Sequence, residues 1–327
     1  MTAPVAVSLM PLETRREAIV RAATGADHLG YDGFFLPETW AHNTTALLAE
    51  AAVRTRRIRL GSGILGVWGR SAATIAMAAS TLHDISGGRF TLGLGASTAQ
   101  LAAGLHDVPF SAPTERMRRV ITQVRALLKG ERIPLAAATG ARPLRLNLPP
   151  APAVPIYLAG LAANSIRLAG ELADGWIPFL YPRSRLAEGK AILKEGAART
   201  GAPRELPLVC PSMPAVVAAD PAEARAGAAW FVSFYLTSMG PFYPRTLSRL
   251  GFEKEVRAVV AANTTRGSAT IPPEAEVLLE ELTVYGTPGE ARARLARWQA
   301  AGAALPILLL PPNLEPKQID FALEAFR

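Results

Sequence analysis

The sequence is poor in the residues that would place it in several large classes of protein. Its 327 residues include one cysteine, Cys210, which excludes a disulfide framework and a cysteine-based metal site. No stretch reaches the roughly 18 consecutive apolar residues of a membrane span. The N-terminal segment MTAPVAVSLMPLETRRE lacks the basic and apolar regions of a secretory signal. We therefore expect a cytoplasmic protein that does not enter membranes.

Lysine is also scarce, so the net charge of +8 is carried mostly by arginine. Arginine binds phosphate and carboxylate groups well because its planar guanidinium contacts two oxygens at once. The arginines are dispersed, and no long basic run or nucleic-acid-binding motif accompanies them. We expect a small polyanionic ligand rather than nucleic acid, with most of the charge lying on a solvated surface.

Motifs of three catalytic classes are missing. No HExxH or similar spacing is present, so no metal site is expected. No GxSxG elbow is present, which argues against an α/β-hydrolase. No GxGxxG follows the first strand, which argues against a Rossmann dinucleotide site. The scattered histidines include His106 in GLHDVPF, which we interpret as a structural loop.

The sequence does contain a regular alternation of strand-like and helix-like segments. Half of the residues are hydrophobic, which is enough for a large core. We predict strands at 5–10, 32–37, 58–65, 89–95, 155–160, 174–180, 206–217 and 305–312. We predict helices at 13–29, 45–55, 71–86, 113–129, 163–172, 183–200, 288–301 and 316–326. This pattern predicts an α/β fold, a single TIM (β/α)₈ barrel domain over residues 1–327. A helical insertion at about 221–282 separates strands seven and eight.

Ligands of TIM barrels bind to the loops at the C-terminal ends of the strands. After the second predicted strand, Glu38 and His42 are candidate catalytic residues, for ring contact or proton relay. The alternative is that this segment only caps the next helix through Asn43 or Thr44. The third predicted strand contains two glycines, which indicates either an ordinary β-bulge or a platform for a flat ring.

Two loops of small residues are candidate phosphate sites, because free N–H groups at a helix start attract anions. The first loop follows the fourth strand and contains Ala96, Ser97 and Thr98. The second follows the fifth strand and contains Gly160, Leu161, Ala162 and Ala163. A plain helix cap by Ser97 or Thr98 is the alternative for the first loop.

Several aromatic residues are candidates for a substrate pocket. Trp40 and Trp68 follow predicted strands and Trp176 lies in the strand predicted at 174–180, where a position in the core is an equal alternative. Met213, Pro214 and Trp230 are better explained by apolar packing. The remaining aromatics of region 221–280 either cover the pocket or form a dimer surface.

Three segments resemble the luciferase-like family: LPETW (36–40), RTRRIRLGSGILGVWGRS (54–71) and TLHDISGGRFTLGLGAS (81–97). VPIYLAGLAANSIRLAGELADGWIPF (154–179) and YGTPGEARARLARWQAAGA (285–303) extend the resemblance to the whole chain outside 221–280. More narrowly, the sequence is similar to coenzyme F420-dependent reductases that resemble methylenetetrahydromethanopterin reductase. The SGGRFTLGLG and AGELADGW elements are specific for the superfamily and much less so for the cofactor.

The resemblance implies a non-prolyl cis peptide at Gly63–Ile64, in a bulge formed with Ser62 that backs the deazaflavin ring. It implies phosphate contacts from the loops at 96–98 and 160–163, and hydride transfer from C5 of reduced F420 to a C=N or C=C bond. The alternatives are an FMN-dependent monooxygenase and a non-catalytic flavin- or deazaflavin-binding protein. A homodimer is also expected.

This chain departs from the family pattern at several positions. It has Glu38-Thr39 where many members carry an acid followed by histidine, and Ser8 stands near the place of an acid in the first strand. It also has Ala162-Ala163 where Gly-Pro is common. The acid/base roles and the substrate of the archaeal reductase therefore cannot be transferred to it.

Overall fold

The computed structural model describes residues 3–135, 140–201, 203–265 and 267–327. The strands are β1 Ala6–Leu9, β2 Gly33–Leu36, β3 Arg59–Ser62, β4 Leu65–Gly66, β5 Phe90–Gly95, β6 Ile156–Ala159, β7 Gly175–Ile177, β8 Leu208–Val209, β9 Ser212–Val217, β10 Val284–Gly286 and β11 Ile307–Leu310. The helices are α1 Arg16–His28, α2 Thr44–Arg54, α3 Ala72–Ile85, α4 Ala99–Gly104, α5 Pro113–Leu128, α6 Ala163–Leu172, α7 Leu186–Ala198, α8 Pro221–Thr237, α9 Phe242–Leu247, α10 Glu253–Ala262, α11 Val277–Leu282, α12 Pro288–Ala300 and α13 Pro316–Glu324.

The chain divides into two compact units. The first contains Met1–Tyr31, Pro178–Ala191 and Val209–Arg327, and the second contains Asp32–Ile177 and Ile192–Leu208. The single-domain organisation remains a prediction. Within the described part of the chain, no helix combines the length and apolar character needed to cross a membrane.

In the first unit, four parallel strands follow the order β10-β9-β11-β1. The insertion between β9 and β11 is mostly helical, as predicted, and Arg266 within it lies outside the described residues. Its helices enclose an apolar cluster with Phe231, Tyr235 and Val259 at its centre. Trp230, Phe234 and Tyr243 pack on this cluster, and the ring of Tyr235 lies 4.8 Å from that of Phe179, measured between centroids.

In the second unit, the parallel strands follow the order β2-β3-β5-β6-β7, and β4 adds to β5. Apolar side chains of these strands are buried on both faces, as is typical of the parallel sheets of α/β proteins. All of these strands end at the same edge of the sheet. The loops that follow β2, β4, β5 and β6 therefore leave that edge as neighbours.

The predicted elements are present, and the structure differs from the prediction at several points besides the division of the strand at 58–65 into β3 and β4. The predicted strand at 206–217 is split into β8 and β9 around Pro211, which has no N–H for the ladder. The strand predicted at 174–180 ends at Ile177, directly before Pro178. The segment at 183–200 starts with a 3₁₀ turn, Arg183–Arg185, before α7. The short elements α4 and β10 were not predicted, because three to six residues carry too little periodicity.

Candidate active site

The site is built around an irregularity in the third strand of the predicted barrel. Gly61 of β3 pairs with Thr91, and Leu65 of β4 pairs with Leu94. Residues 62–64 therefore face only two residues of β5, which defines a bulge of one residue. The peptide bond between Gly63 and Ile64 within this bulge is cis, as the resemblance implies.

The side chain of Ser62 replaces the ladder hydrogen bonds that the bulge removes. Its hydroxyl donates to the carbonyl oxygen of Gly93 and accepts from the N–H of Gly93, both at 2.9 Å. Ser62 is completely buried. A side chain at position 93 would collide with the carbonyl oxygen of Ser62, so only glycine permits this approach. Ser62 therefore holds the bulge closed.

The side chain of Ile64 is the part of the bulge that remains partly exposed. A Cβ atom at Gly95 would lie 2.7 Å from Cδ1 of Ile64, so the missing side chain of Gly95 provides the space that Ile64 occupies. The backbone of the bulge also pairs with the second strand. Glu38 N–H donates to Ile64 O at 3.1 Å, and Gly63 N–H donates to Leu36 O at 2.8 Å. Ile64 is thus fixed from two sides and offers an apolar surface.

Glu38, a predicted catalytic residue, is held in an ion pair that the sequence did not indicate. Arg70 Nε donates to Oε1 of Glu38 at 3.0 Å, and Arg70 Nη2 donates to Oε2 at 2.8 Å. Both side chains are largely buried. The N–H of Thr44, at the start of α2, donates to Oε2 at 3.1 Å. The carboxylate therefore connects the start of α2 with the loop after β4, and a proton-relay role for it stays a prediction.

A small cavity collects several of the predicted residues. It is lined by Glu38, Thr39, Gly66, Trp68, Ser97, Leu101, Ala102 and His106. The Oγ1 atom of Thr39 is buried there and has no hydrogen-bond partner among the described residues. A buried hydroxyl without a partner costs free energy, so it marks a place where a polar ligand atom fits.

The loop after β5 adopts an uncommon backbone conformation at this cavity. Ser97 has a φ of 56°, in the left-handed region, which costs about 1–2 kcal/mol for a residue other than glycine. Trp68 Nε1–H donates to Ala96 O at 2.6 Å. Thr98 caps α4, since its hydroxyl accepts from the N–H of Leu101 at 3.4 Å. The plain-cap alternative therefore holds for Thr98, whereas Ser97 lines the cavity.

The loop after β6 begins beside the loop after β5, because Leu94 pairs with Leu158. The helix α6 begins at Ala163, and Ala162 occupies its N-cap position with no side-chain hydrogen bond. The first N–H groups of this helix therefore lack a side-chain cap in the described chain and are suited to an anion. Trp176 is fully buried and donates from Nε1 to Gly160 O at 2.8 Å, which braces this loop from the core.

Trp40 and His42 are among the predicted residues that lie outside the cavity lining. Trp40 is 46% exposed on the loop after β2. His42 is half-buried two residues further on, where Asn43 caps α2 by accepting from the N–H groups of Thr45 and Ala46. The capping alternative is thus realised by Asn43. The roles of Trp40 and His42 stay predictions.

Sequence reasoning missed Thr39, Arg70 and His106. The one sign in the sequence that Thr39 differs from the family is that it stands where many members have histidine after an acid. Nothing in the sequence distinguishes Arg70 from the many other dispersed arginines.

Arg116, on α5, stands 5.2 Å above the Trp68 ring and donates to Val67 O. Burial, followed by repulsion from Arg119, lowers the pKa of Arg116. Across the described residues, no cluster of His, Cys, Asp and Glu is placed to hold a metal ion.

Comparison with known proteins places the chain in a family of enzymes. The chain belongs to the family of luciferase-like monooxygenases, which it matches over residues 2–305. It is 31% identical over 313 residues to a Mycobacterium tuberculosis protein, Rv3520c, named as a coenzyme F420-dependent oxidoreductase. That match covers 86% of this chain and 88% of the relative.

Two solved structures share the fold at low identity. One is the coenzyme F420-dependent tetrahydromethanopterin reductase from Methanopyrus kandleri, with a TM-score of 0.77, 17% identity, and coverage of 99% of this chain and 98% of that one. The other is a type II Baeyer–Villiger monooxygenase from Pseudomonas putida in complex with FMN, with a TM-score of 0.73, 17% identity, and coverage of 99% and 96%. The predicted TIM-barrel fold is thereby confirmed.

Proposed function

We propose that this protein is an F420-dependent oxidoreductase that reduces a C=N or C=C bond of a small organic substrate. The observation that carries the proposal is the cavity beside the bulge, with the unpartnered hydroxyl of Thr39 and the left-handed turn at Ser97. The printed name of the Mycobacterium tuberculosis relative supports F420 as the cofactor. Reduced F420, when bound, supplies a hydride from C5 of its deazaflavin ring.

The residues of this chain have separate tasks in the proposal. The loops at 96–98 and 160–163 bind the phosphate, through backbone N–H groups and the hydroxyl of Ser97. The partly exposed side chain of Ile64 would support the deazaflavin ring when F420 is bound. The hydroxyl of Thr39 gains the hydrogen-bond partner it lacks, and the Glu38–Arg70 pair keeps its loop in place. Trp68 walls the cavity and excludes water.

An FMN-dependent monooxygenase is the second candidate, because the Pseudomonas putida structure of the same fold contains FMN. The two are separated by titrating the purified protein with F420 and with FMN and following ligand fluorescence. We expect F420 to bind with micromolar affinity or better, and reduced F420 to be oxidised by members of a panel of imines and enones. Binding of FMN alone contradicts the proposal. Binding of F420 without any turnover indicates the non-catalytic binding protein.

A matched pair of variants tests the phosphate loop. Ser97→Gly keeps the left-handed backbone but removes the hydroxyl, so F420 affinity should fall about tenfold, as expected for a hydrogen bond to a charged group. Ser71→Gly removes an exposed serine at the start of α3 and should leave F420 affinity unchanged. Equal affinities for both variants and the unchanged protein would remove Ser97 from the phosphate site.

We also propose that the protein is a homodimer that uses the outer surface of α2 and α3. Val53 on α2 is 72% exposed, and Met77 and Ile85 on α3 are exposed as well. The helix α3 carries no charged residue before His83 and Asp84, which is unusual for a solvated helix. Sedimentation should show a dimer that Met77→Glu dissociates and that the control Val277→Glu, at an exposed valine of α11, does not. A monomeric unchanged protein, or a dimeric Met77→Glu, contradicts this proposal.

A further inference from the structure

The cavity beside the bulge is smaller than the phosphate group that the proposed function assigns to it. Its free volume of about 10 Å³ is enough for about one water molecule. A phosphate group has four oxygen atoms, each close to the size of a water molecule, so it does not fit into the cavity in this conformation. Because Ser97 lines this cavity and is proposed to contact the phosphate, part of the lining must move when F420 binds.

One part of the lining belongs to residues 98–111, which contain the helix α4 and the loop after it. Among the described residues, each hydrogen bond of segment 98–111 has both partners inside the segment. The N–H of Val108, for example, donates to Ala102 O at 3.0 Å. The carboxylate of Asp107 joins no ion pair within the described chain. Segment 98–111 can therefore be displaced without breaking a hydrogen bond to the rest of the molecule.

The residues at the two ends of segment 98–111 have an uncommon backbone conformation. Ser97 has a φ of 56° and Ala112 a φ of 44°, both in the left-handed region that favours glycine. Ala112 also occupies the N-cap position of α5 without a side-chain hydrogen bond. Backbone strain of this kind is relieved when φ and ψ rotate, and hinges are the few residues that absorb such rotations. Ser97 and Ala112 are therefore placed to act as hinges.

Two packing contacts hold segment 98–111 against the cavity. The ring of Phe110 lies 5.1 Å from that of Trp68, measured between centroids. The imidazole of His106 packs on the backbone of Gly69, where an added Cβ atom would lie 2.5 Å from Cε1 of the imidazole. Trp68 is itself fixed by the hydrogen bond from its Nε1–H. Phe110 thus closes the segment against a fixed wall of the cavity.

We propose that segment 98–111 is a lid that swings about Ser97 and Ala112 to admit the phosphate of F420, an inference that rests on the proposed function. Leu101 and Ala102 belong to the segment and line the cavity, so its displacement enlarges the cavity on that side. The structure shows the closed form, and the free protein opens transiently. F420 binds to the open form, so its association rate is proportional to the open fraction.

Thiol labelling of the full chain measures this opening. Ala102 is fully buried at the cavity, so the thiol introduced by Ala102→Cys reacts with a labelling reagent only when the lid opens. The native Cys210 is also buried and lies outside the lid, so it reports unfolding of the surrounding structure. We expect the introduced thiol to react at least about tenfold faster than Cys210, because local opening is more frequent than global unfolding. F420 should slow the introduced thiol and leave Cys210 unchanged.

A matched pair of variants tests the contact that closes the lid. In the Ala102→Cys background, Phe110→Ala removes the ring that packs on Trp68 and should speed labelling roughly two- to tenfold, as expected for the loss of one aromatic pair. Leu105→Ala shortens an exposed side chain of the same segment and should change nothing. Without the introduced thiol, Phe110→Ala should raise the association rate of F420, followed by ligand fluorescence, by the same factor.

The inference is overturned if the introduced thiol reacts no faster than Cys210. It is also overturned if Phe110→Ala labels like Leu105→Ala, or if it speeds the labelling of Cys210 as well, because Phe110 then stabilises more than the lid. An F420 association rate that Phe110→Ala leaves unchanged contradicts it too, since the cofactor then enters without the lid. Labelling needs no F420, so a protein that opens but does not bind F420 overturns the proposed function and not the existence of the lid.

Discussion

Replacing Ser62 with alanine isolates the energetic contribution of the bulge. The substitution removes one hydroxyl that serves as both donor and acceptor for Gly93. Because Ser62 is completely buried, water cannot replace it, and both the N–H and the C=O of Gly93 lose a partner. An unsatisfied buried group costs about 1–3 kcal/mol. We therefore expect Ser62→Ala to lower the free energy of unfolding by roughly 2–6 kcal/mol, from two such groups.

The chain contains a matched control for this experiment. Ser233 on α8 is also completely buried, but its Oγ atom has no hydrogen-bond partner among the described residues. Ser233→Ala removes an unpaired polar atom and improves helix propensity, so it should be neutral or stabilising. Urea denaturation followed by circular dichroism measures both variants. If Ser62→Ala and Ser233→Ala change the free energy of unfolding equally, the hydroxyl of Ser62 does not stabilise the bulge through its hydrogen bonds to Gly93.

Three further predictions concern single contacts. Gly95→Ala should displace the side chain of Ile64, since the new Cβ atom would lie 2.7 Å from its Cδ1 and 2.9 Å from its Cγ1, and should weaken F420 binding by tenfold or more in a fluorescence titration. Arg70→Met should destabilise the protein by roughly 1–3 kcal/mol, because it leaves the largely buried Glu38 carboxylate without its partner. In a double-mutant cycle, adding Glu38→Gln should recover part of this loss. Burial raises the pKa of Glu13, but hydrogen bonds from Arg15 and the Asn313 N–H outweigh it and lower the pKa overall. The stability that the Glu13 carboxylate provides is therefore present above its ordinary pKa of 4.5, and it is lost as pH falls through the lower pKa of the folded state. Glu13→Gln should therefore lower the melting temperature at neutral pH and lower it less in acid.

The sequence predicts the fold well because long apolar runs and helical periodicity both extend over many residues. The strand at 89–95 is an example, since FTLGLG is buried throughout in β5. Details that depend on one residue were harder to predict. Pro211 divides one predicted strand, and the three residues of β10 become a strand only because they pair with β9. Such pairing is a tertiary effect that no local pattern reports.

The candidate site shows the same difference between local patterns, which a sequence displays, and tertiary contacts, which it does not. The loops at 96–98 and 160–163 could be proposed as phosphate sites because small residues before a helix are visible in a sequence. Arg70 was missed because its partner Glu38 lies 32 residues away, and one arginine among many has no distinguishing context. His106 was interpreted as structural because its contact with Gly69 depends on two loops meeting in space. A side chain's neighbours, rather than its type, decide which of these roles it takes.

The two loops proposed to bind phosphate are not equivalent, although their sequences look alike. The helix α4 has six residues and Thr98 already accepts from the N–H of Leu101, so this helix attracts an anion less than a longer, uncapped helix does. The helix α6 has ten residues and begins after Ala162, which has no capping side chain. The loop at 160–163 should therefore supply most of the attraction for an anion, through backbone groups that no side-chain substitution removes. The loop at 96–98 instead supplies the hydroxyl of Ser97, so side-chain variants there report on orientation more than on charge.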